Sequence, residues 1–219
     1  MYFPSVPQDI APPLALQAID DQLGTQTQDA YRTAVSRAPH LNGLAVMLDE
    51  DRSRFLGSPL GLPGSSIMLN PDPKYYSDAI RSGIVNKRMG EFSELYRSKG
   101  ITPGVNELIV AVMLHEMGHA DDLAGFVEMT DGDPAEAFMV ANRVRKSELS
   151  TLPLKAATSR AQTAWDGNIN GYQDLMRERG ITDEAWEALK AANTVAYAEL
   201  PCEKVADTFA LGVLATVNA

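Results

Sequence analysis

The sequence predicts an α+β fold that is mostly helical, with a small three-stranded sheet packed on one long buried helix. The stretch 104–120 is apolar on nearly every side, which is typical of a helix that other elements surround. Three short runs, at 44–48, 54–57 and 66–70, lie between turn-forming residues and predict strands. Most other segments place apolar residues at intervals of three and four, which predicts amphipathic helices.

The composition is that of a globular protein. Of its 219 residues 45% are hydrophobic, so residues 1–219 are most simply one domain, with room for a helical insertion or lid at about 129–181. A net charge of −10 argues against a nucleic-acid or anionic membrane surface, because both need clustered Lys and Arg. No stretch approaches the roughly 20 apolar residues of a membrane span, and no secretion signal is recognisable. We therefore expect a cytoplasmic location, which the single cysteine, Cys202, also favours, and a secreted or phage-delivered protein stays open.

Residues 1–38 precede the predicted sheet. Four prolines within residues 1–13 resist helix formation and favour an extended arm. The apolar residues of 14–35 follow a helical spacing that Gly24 interrupts. We expect either one helix broken near Gly24 or two short helices, ending before Pro39.

The sheet and one further helical segment come next. A charged turn separates the first two strands, so we expect 54–57 to form a hairpin with 44–48. The third strand, 66–70, ends at a pair of prolines. A helical pattern then covers 77–99, with Gly100 as its expected end.

The long helix carries the candidate chemistry. Thr102 is placed to cap its amino end, and Pro103 suits the first helical position. It contains the sequence H-E-x-x-H, in which His115 and His119 lie one turn apart on the same face and can reach one cation. This spacing favours zinc, with Glu116 close enough to accept a proton from a water molecule that the metal activates.

Five residues of this form also arise by chance, with the histidines as ordinary core or surface residues. Two features argue against chance here. A strongly apolar helix would be costly to end in three polar side chains unless something paired them. The chain also contains only three histidines in all. We therefore interpret the motif as a metal site.

A third metal ligand is expected near the carboxyl end of the chain. The remaining histidine, His40, lies in a turn far upstream, so a carboxylate is the natural candidate. Glu203 and Asp207 lie on one face of a predicted helix. Glu203 would complete the site and leave one position open for water, while Asp207 would accept the second ring N–H of a ligand histidine, His115 first. Two other glutamates stay open as ligands: Glu128 and Glu136.

Helix-capping and helix-breaking residues predict the remaining helices after the long helix. A proline-led helix is expected over 134–146, and helices joined by mobile loops over 147–181. A capped helix over 182–198 precedes the last helix, at about 202–217. Tyr197 is a candidate donor to a developing oxyanion, although an aromatic residue at helical spacing more often belongs to the core.

The two motif-bearing segments resemble the gluzincin clan of zinc metallopeptidases, whose H-E-x-x-H helix is completed by a downstream E-x-x-x-D helix. Residues 203–207, Glu-Lys-Val-Ala-Asp, fit that form. Compact gluzincins, among them the M48-like group and those that cut transcriptional repressors, are the most similar. The resemblance implies a zincin-like fold, zinc at His115, His119 and Glu203, Glu116 as general base, and Asp207 beside a ligand histidine.

The same resemblance implies how a substrate is held. An outer strand of the family's sheet runs beside an extended peptide, and by analogy 67–69 would be that exposed edge, with a core strand as the alternative. The predicted function is therefore that of a zinc metalloendopeptidase acting on a protein or peptide. A zinc-stabilised regulatory or binding module without turnover is the alternative. The sequence does not indicate an oligomeric state.

Overall fold

The computed structural model describes residue 3 and residues 9–81, 86–154, 180 and 182–217. The helices of these ranges, named α1 to α8, span Leu14–Leu23, Thr27–Arg37, Pro73–Arg81, Asn86–Ser98, Val105–Met129, Pro134–Ser150, Asp183–Ala198 and Pro201–Leu214. The strands β1, β2 and β3 span Ala45–Leu48, Arg54–Leu56 and Ser66–Leu69. The expectation of a mostly helical α+β fold with a small three-stranded sheet is confirmed. None of the described helices is long and apolar enough to cross a membrane.

Helix α5 is the axis around which the other elements pack. Nearly all of its side chains from Leu108 to Ala120 are buried, and it contacts α2, α3, α6, α8 and two strands, β2 and β3. It continues past the expected end to Met129, because Leu123 and Phe126 extend the apolar face and no proline interrupts the segment. The helix ends where Asp131 and Gly132 both take positive φ.

The amino end of α5 differs from the expectation. Gly104 is the N-cap residue, and Pro103 precedes the helix. The side chain of Glu107 reaches back, so that its Oε2 accepts a hydrogen bond from the Gly104 N–H at 2.8 Å. The prediction of Thr102 as the cap was wrong, because a glutamate three residues after the cap can satisfy the exposed N–H on its own.

The strand order in the sheet is β1-β3-β2. Strand β3 pairs in parallel with β1, where Val46 is opposite Ile67, and antiparallel with β2, where Phe55 is opposite Ile67. The expected hairpin between 44–48 and 54–57 is therefore wrong, and β3 lies between them. Ile67 and Leu69 are fully buried, so the strand with the most buried side chains takes the central position. The prediction that 67–69 forms the exposed edge of the sheet is also wrong, because β3 is the central strand.

The first two helices agree with one of the two expected arrangements. Residues 14–37 form two short helices, α1 and α2, and Gly24 lies between them with φ of 65°. Its N–H donates to the Asp20 carbonyl at 2.8 Å. A left-handed residue of this kind closes a helix at little cost when it is glycine. Of the predicted arm, residues 1, 2 and 4–8 lie outside the described residues, and Phe3 is buried in the core.

Several of the other helices begin or end close to the predicted positions. The segment 77–99 belongs to two helices, α3 and α4, with 82–85 outside the described residues. Helix α7 begins after Thr182, whose Oγ1 accepts a hydrogen bond from the Ala185 N–H. Helix α8 ends at Leu214, slightly earlier than expected. Most of the predicted loop region, 155–179 and 181, lies outside the described residues.

We predict that Glu107→Ala lowers the free energy of unfolding by about 0.5–1 kcal/mol, because the Gly104 N–H loses its acceptor and the helix loses a negative charge near its positive end. Urea unfolding followed by circular dichroism measures the change. The matched control is Glu128→Ala in the last turn of α5. The Glu128 side chain is exposed, and removing a negative charge near the carboxyl end of a helix does not lower the free energy of unfolding. Equal losses in both variants would contradict the capping role.

Candidate metal centre

The site is built where α5 and α8 approach each other closely. His115, Gly118 and His119 share one face of α5, and Glu203, Ala206 and Asp207 share one face of α8, both with spacings of three and four. A Cβ added to Gly118 would lie 2.6 Å from the Ala206 Cα and 2.7 Å from its carbonyl oxygen. Only a glycine at this position allows the two backbones to come so close, and this contact brings both carboxylates to the histidines.

Three buried side chains form the centre of the site. The exposed fractions of His115, His119 and Glu203 are 3%, 5% and 1%. The Glu203 Oε2 lies 3.3 Å from the His115 Nε2 and 3.6 Å from the His119 Nε2. One potential ligand atom from each residue falls within 4.8 Å of the others, so the three could hold one metal ion.

These distances fit a small divalent cation. Ligand bonds of about 2.0–2.1 Å in tetrahedral geometry place two ligand atoms about 3.3–3.4 Å apart, close to both separations from the Glu203 oxygen. Two imidazoles and one carboxylate also leave a fourth tetrahedral position for water or substrate. The donor set suits zinc, and it is compatible with other divalent transition metals.

Asp207 lies against His115, one of the two histidines. Its Oδ1 is 2.8 Å from the His115 Nδ1, and both side chains are buried. With the Nδ1 proton donated to this carboxylate, the Nε2 of His115 presents its lone pair to the site centre. Asp207 therefore supports the ring tautomer that a metal ligand needs.

The other oxygen of Glu203 faces the guanidinium of Arg145, a residue that was not predicted to belong to the site. The Arg145 Nη2 lies 3.3 Å from the Glu203 Oε1, and the Cys202 thiol is 3.9 Å from the same oxygen. Arg145 comes from α6, within the segment expected to form an insertion or lid. Nothing local in the sequence predicts this pair, because it depends on how α6 and α8 each pack against α5.

Two further groups beside Glu203 are held in their protonated forms. Burial and then the charge of Glu203 raise the pKa of Tyr197 to about 12. Burial, followed by a hydrogen bond with Glu148, raises the pKa of Cys202 to about 12. The Tyr197 hydroxyl interacts with the Glu203 carboxylate and with Arg145, so the candidate oxyanion donor lies beside the ligand cluster.

Glu116 lies next to the cluster without belonging to it. It is buried, and it projects about 100° around the helix axis from His115. Burial raises the pKa of Tyr76 on α3, and the charge of Glu116 adds a smaller contribution in the same direction, so the two groups are close enough to interact electrostatically. Within the described part of the chain the Glu116 carboxylate accepts no hydrogen bond. It is therefore available to accept a proton.

The other candidate ligands are not brought to the histidines. Glu128 and Glu136 are exposed, and neither belongs to the cluster of potential ligands. The Nε2 of His40 lies 2.8 Å from the Asp121 Oδ1 at a partly exposed position. Of the carboxylates that the sequence analysis considered as a third ligand, only Glu203 joins the two histidines.

A cleft of about 530 Å³ opens beside His119. Its walls come from β2 and the residue after it, from the second half of α5, from α6 and from the start of α8. It is lined by Phe55, Leu56, Gly57, His119, Asp122, Leu123, Phe126, Phe138, Ala141, Asn142, Val144, Arg145, Glu148, Pro201, Cys202 and Val205. His119 thus links the ligand cluster to a space large enough for part of a substrate.

Comparison of the chain with protein-family profiles, curated proteins and solved structures finds no significant match. The resemblance to gluzincins therefore depends on the two short motif-bearing segments alone.

We predict that Gly118→Ala lowers the free energy of unfolding by about 1–3 kcal/mol, because the added methyl group meets the Ala206 backbone and α8 must move away. The same movement should weaken zinc binding. Urea unfolding and competitive zinc titration measure the two effects.

The matched control is Gly125→Ala on the same helix, where an added Cβ meets nothing within 4 Å. It should raise stability by up to about 1 kcal/mol through helix propensity and leave zinc binding unchanged. A Gly118→Ala protein as stable as the control would contradict the close-packing argument.

We predict that the purified protein binds about one zinc ion per chain, and that Glu203→Gln loses stoichiometric binding because an amide oxygen is a far weaker ligand than a carboxylate. Plasma mass spectrometry after zinc loading and desalting measures the content. The control Glu128→Gln should retain full metal content. Equal content in both variants would show that Glu203 is not a ligand.

Proposed function

We propose that this protein is a zinc-dependent endopeptidase that cleaves peptide bonds at the cluster of His115, His119 and Glu203. The observation that carries the proposal is the position of His119, which belongs to the cluster and also lines the cleft. A metal held there would be reachable by a substrate. Catalytic zinc sites keep an open position of this kind, whereas structural sites are closed.

Bound zinc would supply Lewis-acid chemistry, polarising the scissile carbonyl and lowering the pKa of a water molecule. His115 and His119 would each donate an Nε2 lone pair, and Glu203 would donate Oε2. Asp207 would hold the proton on the His115 Nδ1, so that this ring keeps its orientation and its free lone pair. Arg145 would hold the remaining Glu203 oxygen and keep the carboxylate from rotating.

Glu116 is the proposed general base. Its carboxylate is buried beside the ligand histidines and has no competing hydrogen-bond donor among the described residues. It would take a proton from the attacking water and then deliver a proton to the leaving amine. One group can perform both steps because it becomes protonated in the first and is deprotonated again in the second.

Strand β2 is the proposed support for an extended substrate. It is an edge strand of the sheet, and Phe55 and Leu56 of this strand, with Gly57 after it, line the cleft. An edge strand can pair with an extended peptide through main-chain hydrogen bonds. In this arrangement β2, rather than the central strand β3, runs beside the substrate.

A zinc-stabilised binding module is the second candidate, since all three ligands are deeply buried and join α5 to α8. The ligands nevertheless have protein partners without a metal. His115 contacts Asp207, Glu203 contacts Arg145, and His119 lies 3.6 Å from Glu203. Because buried polar groups with partners are tolerated, the metal-free chain should stay folded, which favours a catalytic site.

We predict that removing the metal with a chelator leaves the far-ultraviolet circular dichroism spectrum essentially unchanged and abolishes peptide cleavage, which returns when zinc is added. Thermal unfolding with and without chelator, with parallel activity assays, measures this. Loss of helical signal at room temperature on chelation would support the binding module instead, because a structural metal holds the fold together.

We predict that Glu116→Gln retains zinc and loses cleavage by about 10²–10⁴-fold, because an amide cannot accept the proton of the attacking water. A fluorescence-quenched peptide library assay on zinc-loaded protein measures turnover. Glu136→Gln, at an exposed position on α6, is the matched control and should remain active. Full turnover by a Glu116→Gln protein with full metal content would reject the proposed mechanism.

A further inference from the structure

The cleft beside His119 is lined mainly by large apolar side chains. Phe55 from β2, Leu123 and Phe126 from α5, and Phe138 from α6 all face this space. Aromatic and aliphatic walls of this kind contribute binding free energy by removing apolar surface from water. The interior of the cleft is therefore suited to an apolar group, and the polar side chains determine how that group is oriented.

The apolar surface continues onto the rim of the cleft. Leu56, Val144 and Val205 line it and are 40%, 40% and 43% exposed. They come from three separate elements, β2, α6 and α8. Single exposed apolar residues are common on protein surfaces, but three that converge on one opening form a patch typical of a binding surface.

The charges around the cleft disfavour an acidic ligand. Asp122 and Glu148 line the cleft, and the Arg145 guanidinium there is paired with Glu203. With Glu203 and Asp207 of the adjoining cluster, four carboxylates stand against one guanidinium, so a bound divalent cation would still leave a formal charge of −1. The net charge of the whole chain is also −10. Because like charges repel across a low-dielectric surface, a neutral or basic ligand is favoured over an acidic one.

Three walls of the cleft come close together at Gly57. A Cβ added at this position would lie 3.4 Å from the Phe55 ring, 3.5 Å from Leu123 and 3.5 Å from the Phe138 ring. These are ordinary van der Waals separations, and φ of Gly57 is not in the left-handed region, so a side chain can be placed here without strain. A larger residue at this position would occupy the space between the apolar walls.

We propose that this cleft is a selectivity pocket for one bulky apolar side chain, aromatic in preference, of an extended polypeptide whose neighbouring residues are neutral or basic. Gly57 lies where three walls of the pocket meet. The assignment of a polypeptide rests on the proposed function, since β2 provides a main-chain edge along one wall and His119 places the candidate metal at the other side. The preference for an apolar group rests on the walls of the cleft alone.

The test measures binding separately from cleavage. Peptides of one uncharged scaffold carry Phe, Ala or Glu at the central position, and their dissociation constants are measured by fluorescence anisotropy with zinc-loaded Glu116→Gln protein. We expect Phe to bind at least about tenfold more tightly than Ala, as burial of one aromatic side chain predicts, and Glu to bind most weakly. Acidic residues beside the Phe should weaken binding, and basic ones should not.

Variants of Gly57 test whether the preference for Phe over Ala depends on the walls of the pocket. On the Glu116→Gln background, Gly57→Leu should reduce the preference for Phe over Ala to about twofold or less by filling the pocket. The smaller change Gly57→Ala, whose methyl group fits the observed separations, should reduce it in part and serves if the larger variant does not fold. The matched control is Gly125→Leu on the exposed side of α5, which should keep the full preference.

Several outcomes would overturn the pocket assignment. These are equal binding of the Phe and Ala peptides, an undiminished Phe preference in the Gly57 variants, or no peptide binding at millimolar concentration. Parallel turnover assays with zinc-loaded protein that retains Glu116 separate this inference from the proposed function. Phe-selective binding without turnover would reject the peptidase and retain the pocket, whereas turnover without side-chain preference would reject only the pocket.

Discussion

The contact between Gly118 and Ala206 is the constraint on which the candidate site depends. Glycine is among the least favourable residues inside a helix, costing about 1 kcal/mol relative to alanine, and here it lies between the two histidines of the motif. The close approach of α5 and α8 offsets that cost by burying both helices against each other. It also carries Glu203 and Asp207 to positions opposite His115 and His119. A wider separation of the two helices would leave the histidines without a carboxylate.

Burial of several charged groups in one place requires that they satisfy one another. Glu203, which is 1% exposed, has its Oε1 3.3 Å from the Arg145 Nη2, and its Oε2 lies 3.3 Å from the His115 Nε2 and 3.6 Å from the His119 Nε2. Asp207 in turn accepts a hydrogen bond from the His115 Nδ1. An isolated carboxylate would be too costly to bury at this depth, so the network is a condition for the fold as well as a preparation for a cation. Through Arg145, α6 also contributes a side chain to the site.

The sheet and the cleft border this centre on one side. Strand β3 takes the central position and leaves β2 at the edge, where Phe55, Leu56 and the following Gly57 border the cleft. The apolar side of the cleft and the polar ligand cluster meet at His119. The structure therefore places a buried polar centre beside an open apolar groove, an arrangement typical of ligand-binding sites.

The sequence by itself determined the features that depend on local spacing. The one-turn separation of His115 and His119, the pairing of Glu203 with Asp207 on one face, the turn at Gly24 and the Thr182 cap all follow from the geometry of a single helix or turn. Their side chains have fixed relative positions once the helix forms. The mostly helical α+β class and the three strands were predictable for the same reason.

Only the tertiary structure decided how these elements meet. The order β1-β3-β2, the exposure of Glu128 and Glu136, and the ion pair of Arg145 with Glu203 each depend on residues far apart in the chain. Alternation of hydrophobic and polar residues identifies a strand but does not predict which strand it pairs with. In the same way, the residues around an arginine on a helix do not predict its ion-pair partner. These choices follow from the packing of the whole core, in which the most buried strand takes the centre and the closest helix pair meets at a glycine.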